Sequence, residues 1–143
     1  MVSFVLVARA LGDLDDDLDF HYHTLDARPL PGRVIEIDKT RQLLYAVLDG
    51  QLQWVFHTST GTEEPYQHPA GYTATADTPP GRHTVDWRVD GWRDRRLGRM
   101  YRPKYFHGDG IALHGYHAIA PHPASHGCAR SPSRPWILSG RTI

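Results

Sequence analysis

From residue 33 onward the chain is written in short alternating segments separated by turn signals, a rhythm that leaves room for little besides strands. Val34-Ile35-Glu36-Ile37-Asp38 is β-branched and alternates. Gln42 to Leu48 and Gln51 to His57 flank Asp49-Gly50, the dipeptide suited to a two-residue type I′ turn, so a hairpin is expected there. Ser59-Thr60-Gly61-Thr62 reads as the loop that closes this unit. Tyr72 to Ala76 reads as a further strand, ended by Asp77-Thr78-Pro79-Pro80-Gly81, where two prolines fix φ. Arg82 to Val89 alternates again and stops at Asp90-Gly91. Tyr101 to Phe106 and Ile111 to His114 flank Gly108-Asp109-Gly110 as a second hairpin-like pair. No window from 33 to 120 holds a helical period with caps at both ends. Pro132 to Leu138, capped by Ser131 or Ser133, is the one candidate helix. The expected fold is mainly β, a sandwich or barrel, with at most one or two short helices.

At 143 residues the chain suits one domain with a real core. Residues 1–32 stand apart: an apolar start, an acidic cluster from Asp13 to Asp17, and Pro29-Leu30-Pro31-Gly32. They are expected to form an irregular leader or linker, with residues 33–143 as the folded domain. A secretory signal wants a basic start that this segment lacks, so no clear signal peptide is read. Sixteen Lys and Arg balance sixteen Asp and Glu, so no long-range field recruits nucleic acid or an anionic membrane. No run of 18 apolar residues spans a bilayer, and a single Cys excludes an intrachain disulfide or a Cys-rich zinc finger. The abnormal figure is ten His, concentrated in the second half.

Those histidines point to 111–117, Ile-Ala-Leu-His-Gly-Tyr-His, and to 121–130, Pro-His-Pro-Ala-Ser-His-Gly-Cys-Ala-Arg. Cys128 alone reads as a small buried hydrophobe. Its setting reads otherwise: Gly127 allows close backbone approach, and nearby imidazoles with Arg130 favour the thiolate, the nucleophilic form. His114, at the end of an expected strand, is ordinarily a half-exposed filler. Thirteen residues separate it from Cys128, and such a loop can fold back to bring the two together. His126 either shares the face of Cys128 or supports the loop. His114, His117, His122, His126 and Cys128 also supply donors for zinc, although their spacing fits neither a two-His helical face nor paired Cys knuckles.

Ser125-His126-Gly127-Cys128-Ala129-Arg130, with His114-Gly115 upstream, resembles the signature of the L,D-transpeptidase catalytic domain of the YkuD type. The opening strands at 34–38 and 42–45, Ser59-Thr60-Gly61 and Thr78-Pro79-Pro80-Gly81 extend the resemblance over residues 33–143. It departs at Ala129, where the family has a larger aliphatic residue, and after Arg130, where Ser131-Pro132-Ser133-Arg134-Pro135 interrupts the usual helix and abridges the C-terminal part.

The resemblance implies a β-sandwich-like catalytic fold and a cysteine acyl transferase of cell-wall synthesis. Its substrates would be peptidoglycan stem peptides, as donor and acceptor, joined by 3→3 cross-links with release of D-alanine. Cys128 would be the nucleophile and His114 its base, with Gly115 orienting the imidazole and His126 lining the pocket. Arg130, Tyr116, Ser125 and Gly127 would meet the substrate. No cofactor or metal is implied, carbapenem-type compounds would inhibit, and an extracytoplasmic location follows. The alternatives are an L,D-carboxypeptidase, a non-catalytic wall-binding domain of the same fold, and a His-rich zinc hydrolase.

Overall fold

The computed structural model describes residues 31–108 and 110–133, together with the backbone of Phe4–Arg9. Among these residues the strands in chain order are β1 (Phe4–Arg9), β2 (Arg33–Asp38), β3 (Leu43–Leu48), β4 (Gln51–His57), β5 (Pro65–Gln67), β6 (Thr73–Thr75), β7 (Gly81–Thr84), β8 (Trp87–Arg88), β9 (Trp92–Arg95), β10 (Gly98–His107), β11 (Ile111–Gly115) and β12 (Ala129–Ser131). No helix occurs among the described residues. One sheet has the order β4-β3-β2-β1-β7; a second runs β12-β11-β10-β8, with β9 also on β10; β5 and β6 form a two-stranded ribbon.

The expected first hairpin forms. Leu48 lies opposite Gln51, and Asp49 (φ 47°) with Gly50 (φ 77°) takes the pair of left-handed conformations that a type I′ turn requires. Every residue of β2 is buried, so its backbone groups need a neighbouring strand on both edges. β3 supplies one edge antiparallel, and β1 supplies the other in parallel, Phe4 opposite Arg33 through Arg9 opposite Asp38. Phe4–Arg9, expected to belong to an irregular leader, is therefore an interior strand of the first sheet. The rest of that leader, residues 10–30, and positions 134–138 of the expected helix lie outside the described residues.

The main core lies between the two large sheets. Ile35, Ile37, Leu44 and Ala46 of the first pack with Phe106, Leu113 and Ala129 of the second, and Val85 and Ile111 close in from the sides. Burying each large aliphatic here contributes roughly 1.5–3 kcal/mol. Val34, Tyr45 and Val47 form a second buried cluster on the opposite face of β2 and β3, which explains why β3 reads Leu-Leu-Tyr-Ala-Val-Leu without alternation.

The alternating run from Arg82 to Val89, expected as one strand, is divided between sheets. β7 pairs with β1, whereas β8 pairs with β10. The chain crosses over at Val85-Asp86, where the Asp86 amide bonds to the Tyr105 carbonyl at 3.0 Å. β5, β9 and β12 are short strands that the sequence rhythm did not predict, and the expected strand at 72–76 is shortened to β6.

Candidate active site

The site begins with the loop after β4. Ser59 bridges to Arg130, with the Arg130 amide donating to Ser59 O at 2.9 Å and the Ser59 amide to Arg130 O at 3.2 Å. The Thr58 hydroxyl adds a bond to the Arg130 carbonyl at 2.7 Å. Further on, the amides of Ala124 and Ser125 both donate to Thr60 O at 3.0 Å. The Gln42 side chain returns to Thr60, donating to its hydroxyl at 2.8 Å and accepting from its amide at 2.9 Å. Thr58, Ser59 and Thr60 are fully buried, and this stitching satisfies their polar groups.

Two glycines permit the close approach. A Cβ on Gly61 would collide with the Ala76 carbonyl. Gly127 holds φ +137°, and a Cβ there would fall 2.6 Å from Ile111 Cδ1 and 2.8 Å from the Asp77 carbonyl oxygen. Thr78 locks the turn: its hydroxyl accepts from the Gly61 amide at 2.9 Å and donates to the Gly127 carbonyl at 2.6 Å. Lys39 holds Thr78 from behind, bonding its carbonyl and the Asp77 carboxylate at 3.0 Å each.

Leu113 and Ala129 point into the inter-sheet core. Strand alternation therefore turns His114, Arg130 and Cys128 to the opposite face of the second sheet. β11 and β12 run parallel with His114 opposite Arg130. Cys128, just before β12, is half-buried and packs beside Met100, Tyr105 and Ala112. Its Sγ accepts the Ala112 amide at 3.4 Å and lies 3.9 Å from Gly110 O. Those are its hydrogen-bond contacts among the described residues; the imidazole of His114 is not one of them. His114 stands two residues along β11 from Ala112, about 6.6 Å of strand rise.

His114 is 4% exposed, with Nδ1 3.0 Å from Gly115 O. A carbonyl only accepts, so Nδ1 carries the hydrogen and Nε2 keeps its lone pair. Burial pushes the imidazole down to about 4, against the Gly115 bond and with a further push from Arg130. Burial also pushes the Cys128 thiol up, outweighing the Ala112 amide and the guanidiniums of Arg130 and Arg95. The expectation that neighbours would favour the thiolate is thus reversed by desolvation: the resting pair is neutral thiol and neutral imidazole.

A pH prediction follows for stability. An unfolded imidazole takes its proton near 6.5 and the folded one only near about 4, so between these values the unfolded state binds more protons. The stabilisation is complete above 6.5 and is lost as pH falls toward 4. Urea unfolding should therefore show a loss of about 2 kcal/mol between pH 7 and pH 5 that His114→Gln does not share.

The remaining expected residues separate. The Ser125 hydroxyl is 2% exposed and donates to Cys128 O at 2.5 Å while accepting the Gly127 amide at 3.1 Å. It shapes the loop from a buried position, its hydrogen already given to the Cys128 carbonyl. Gly127 is buried and likewise acts through backbone shape. Arg130 lies over the Tyr116 ring at 4.4 Å, and Tyr116 stands edge-on to His114 at 6.0 Å. His126 is exposed and its ring sits 4.6 Å from that of Tyr66. Tyr66 in β5, Tyr105 in β10, Arg95 in β9 and Thr78 were not singled out from the sequence. Only Thr78 lay in a motif. No three of the described His, Cys, Asp or Glu residues are grouped to hold a metal ion, so the zinc alternative has no ligand set among them. No helix among the described residues is long and apolar enough to cross a membrane.

The family model for the YkuD L,D-transpeptidase catalytic domain matches residues 32–137. No curated protein matches. Among solved structures, an L,D-transpeptidase (residues 123–326) from Xylanimonas cellulosilytica is 42% identical over 71% of this chain and 50% of its own, with a TM-score of 0.66. An L,D-transpeptidase from Mycobacterium tuberculosis is 17% identical over 79% of this chain and 54% of its own, with a TM-score of 0.57, and shares the fold. The chain spans about half the length of these two structures.

Proposed function

Because the chain belongs to the L,D-transpeptidase (YkuD) catalytic-domain family, we propose that it is a cysteine acyl transferase acting on peptidoglycan stem tetrapeptides. The observation that carries this reading is the shared face of β11 and β12, which turns His114 and Cys128 to the same side of the second sheet. Substrate binding completes their contact, as catalytic hydrogen bonds commonly tighten only with substrate present.

His114 Nε2 takes the Cys128 proton, and the thiolate attacks the carbonyl joining diaminopimelate to D-alanine. The C–N bond breaks as the imidazolium returns the proton to the leaving amine, and a thioester remains on Sγ. The side-chain amine of a second stem attacks that thioester and gives its proton to His114. A 3→3 cross-link forms and the thiol is restored. Water in place of the amine gives the carboxypeptidase outcome.

Charge on the carbonyl oxygen needs a donor, and the Thr78 clamp supports a specific one. In a trans peptide unit C=O and N–H point in opposite directions. With Gly127 O held by Thr78, the Cys128 amide faces away from that clamp. It donates no hydrogen bond among the described residues and is available to the oxyanion. Thr78→Val should lower kcat roughly 10²-fold with KM little changed, and Thr78→Ser should restore it; steady-state kinetics with purified tetrapeptide checks both.

The functional test is chromatography and mass spectrometry of disaccharide-tetrapeptide after incubation. Free D-alanine with a 3→3 dimer supports transfer, and D-alanine with tripeptide alone supports hydrolysis. Action on the cell wall places the protein outside the cytoplasmic membrane. A wall-binding domain without catalysis is the second reading, favoured by the burial that keeps Cys128 a thiol. It predicts retention of the stem peptide with no D-alanine released.

A further inference from the structure

The β9–β10 hairpin carries charge that the rest of the chain offsets. Between Asp86 and Lys104 stand seven cationic side chains against three carboxylates, in a chain of formal net charge zero. Most of the guanidiniums on the hairpin are engaged. Arg99 Nε lies 3.3 Å from Asp94 Oδ1, and its guanidinium stands 4.4 Å over the Trp92 ring. Arg102 pairs with Asp90 at 2.6 Å. Arg93 stands 4.6 Å over Trp87 and 5.9 Å from the Tyr105 ring. Arg95 makes no ion pair and no ring contact among the described residues, and it is exposed.

Its position is informative. Nη2 of Arg95 lies 3.5 Å from the point that a Cβ on Gly110 would occupy, so the missing side chain leaves this approach open. The carbonyl of the same Gly110 lies 3.9 Å from Cys128 Sγ. Arg95 is therefore one glycine removed from the sulfur, beside Tyr105, which packs in the same cluster as Cys128. Its charge acts on both Cys128 and Tyr105. An exposed guanidinium one glycine from the thiol, without an ion pair among the described residues, is suited to a carboxylate, which it receives through two parallel N–H bonds.

We infer that Arg95 is the specificity-determining residue that receives the terminal carboxylate of the donor peptide, the group carried by the departing D-alanine. The inference rests on the acyl-transfer reading above. It gives the two cations beside Cys128 different work: Arg130 is held on Tyr116 next to His114, while Arg95 reads the substrate. The site then selects donors ending in a free carboxylate over the same peptide ending in an amide, although the scissile bond is identical.

The test separates recognition from chemistry. Calorimetric titration of the Cys128→Ala protein uses two probes, the tetrapeptide ending in D-alanine and the one ending in D-alaninamide. The carboxylate form should bind roughly 10–100-fold more tightly, a difference that shrinks with added salt. Adding Arg95→Gln should remove the preference, Arg95→Lys should keep part of it, and Arg96→Gln should leave it intact. An undiminished preference in Cys128→Ala/Arg95→Gln, or no preference in Cys128→Ala, overturns the inference. Failure of the acyl-transfer reading appears separately, as wild-type protein that discriminates between the probes yet releases D-alanine from neither.

Discussion

Cys128→Ala protein releases no detectable D-alanine from a tetrapeptide stem, while its far-ultraviolet spectrum and unfolding midpoint stay near those of the wild type. The two halves of this expectation have different origins. Chemically, every step of the proposed cycle forms or breaks a bond to Sγ, and methyl offers no lone pair in its place. Removing the nucleophile of an acyl-transfer enzyme costs on the order of 10⁵–10⁶-fold in kcat. Structurally, the sulfur is lightly held: one amide at 3.4 Å and packing beside Met100, Tyr105 and Ala112. The Ala112 amide is buried, but its acceptor is a weak sulfur at 3.4 Å, so leaving it unpaired costs about 1 kcal/mol. The loop keeps its form, because Thr78, Ser125 and Thr60 grip its backbone and none of them uses the thiol. Residual D-alanine release within tenfold of wild type would remove Cys128 from the mechanism.

His114→Ala is expected to lower kcat roughly 10³–10⁴-fold, whereas His117→Ala and His122→Ala stay within about threefold. Three imidazoles lie within nine positions of one another, and the structure gives them unlike settings. His114 is 4% exposed on β11 with its tautomer set by Gly115. His117 lies tilted against the Tyr116 ring at 4.5 Å and is exposed, and His122 is exposed with Nδ1 3.2 Å from Pro123 O. Because burial holds His114 at about 4, it remains an unprotonated acceptor throughout the neutral range. The acid limb of kcat/KM should accordingly fall well below the ordinary histidine range. Parallel pH-rate profiles of the three variants check this, and equal losses across them would contradict the assignment of the base.

Where local chemistry decides the backbone, the residues announced it. Asp49-Gly50 specifies a type I′ turn because both positions accept positive φ, and the flanking strands pair as that turn requires. Long-range pairing was not legible. Arg82 to Val89 has the period of one strand, but periodicity carries no information about which sheet each half joins. Phe4–Arg9 reads as a leader because its parallel partner lies 29 residues on, at Arg33 opposite Phe4. Trp92–Arg95 hides as a strand because none of its residues is buried, so no core-facing alternation marks it, and Arg93 leans on the Trp87 ring.

The site divides along the same line. Cys128, His114 and the turn at Gly127 are visible as residue types at a spacing, and the family motif adds their expected roles. The Thr78 bond to Gly127 O spans 49 positions, and Arg95 reaches Gly110 across a hairpin, so neither contact has a local signal. The charge state of Cys128 is hidden from the sequence for a related reason. Nearby cations can be counted in a sequence, but the burial that outweighs them is a property of packing.

Intact-mass and peptide-mapping spectrometry after incubation with a carbapenem tests the central claim most directly, because ring opening on a competent thiolate leaves a stable acyl group. The account predicts one adduct per chain, confined to the fragment that contains Cys128 and absent from Cys128→Ala protein. An unmodified chain, or an adduct carried by any other residue, would contradict it.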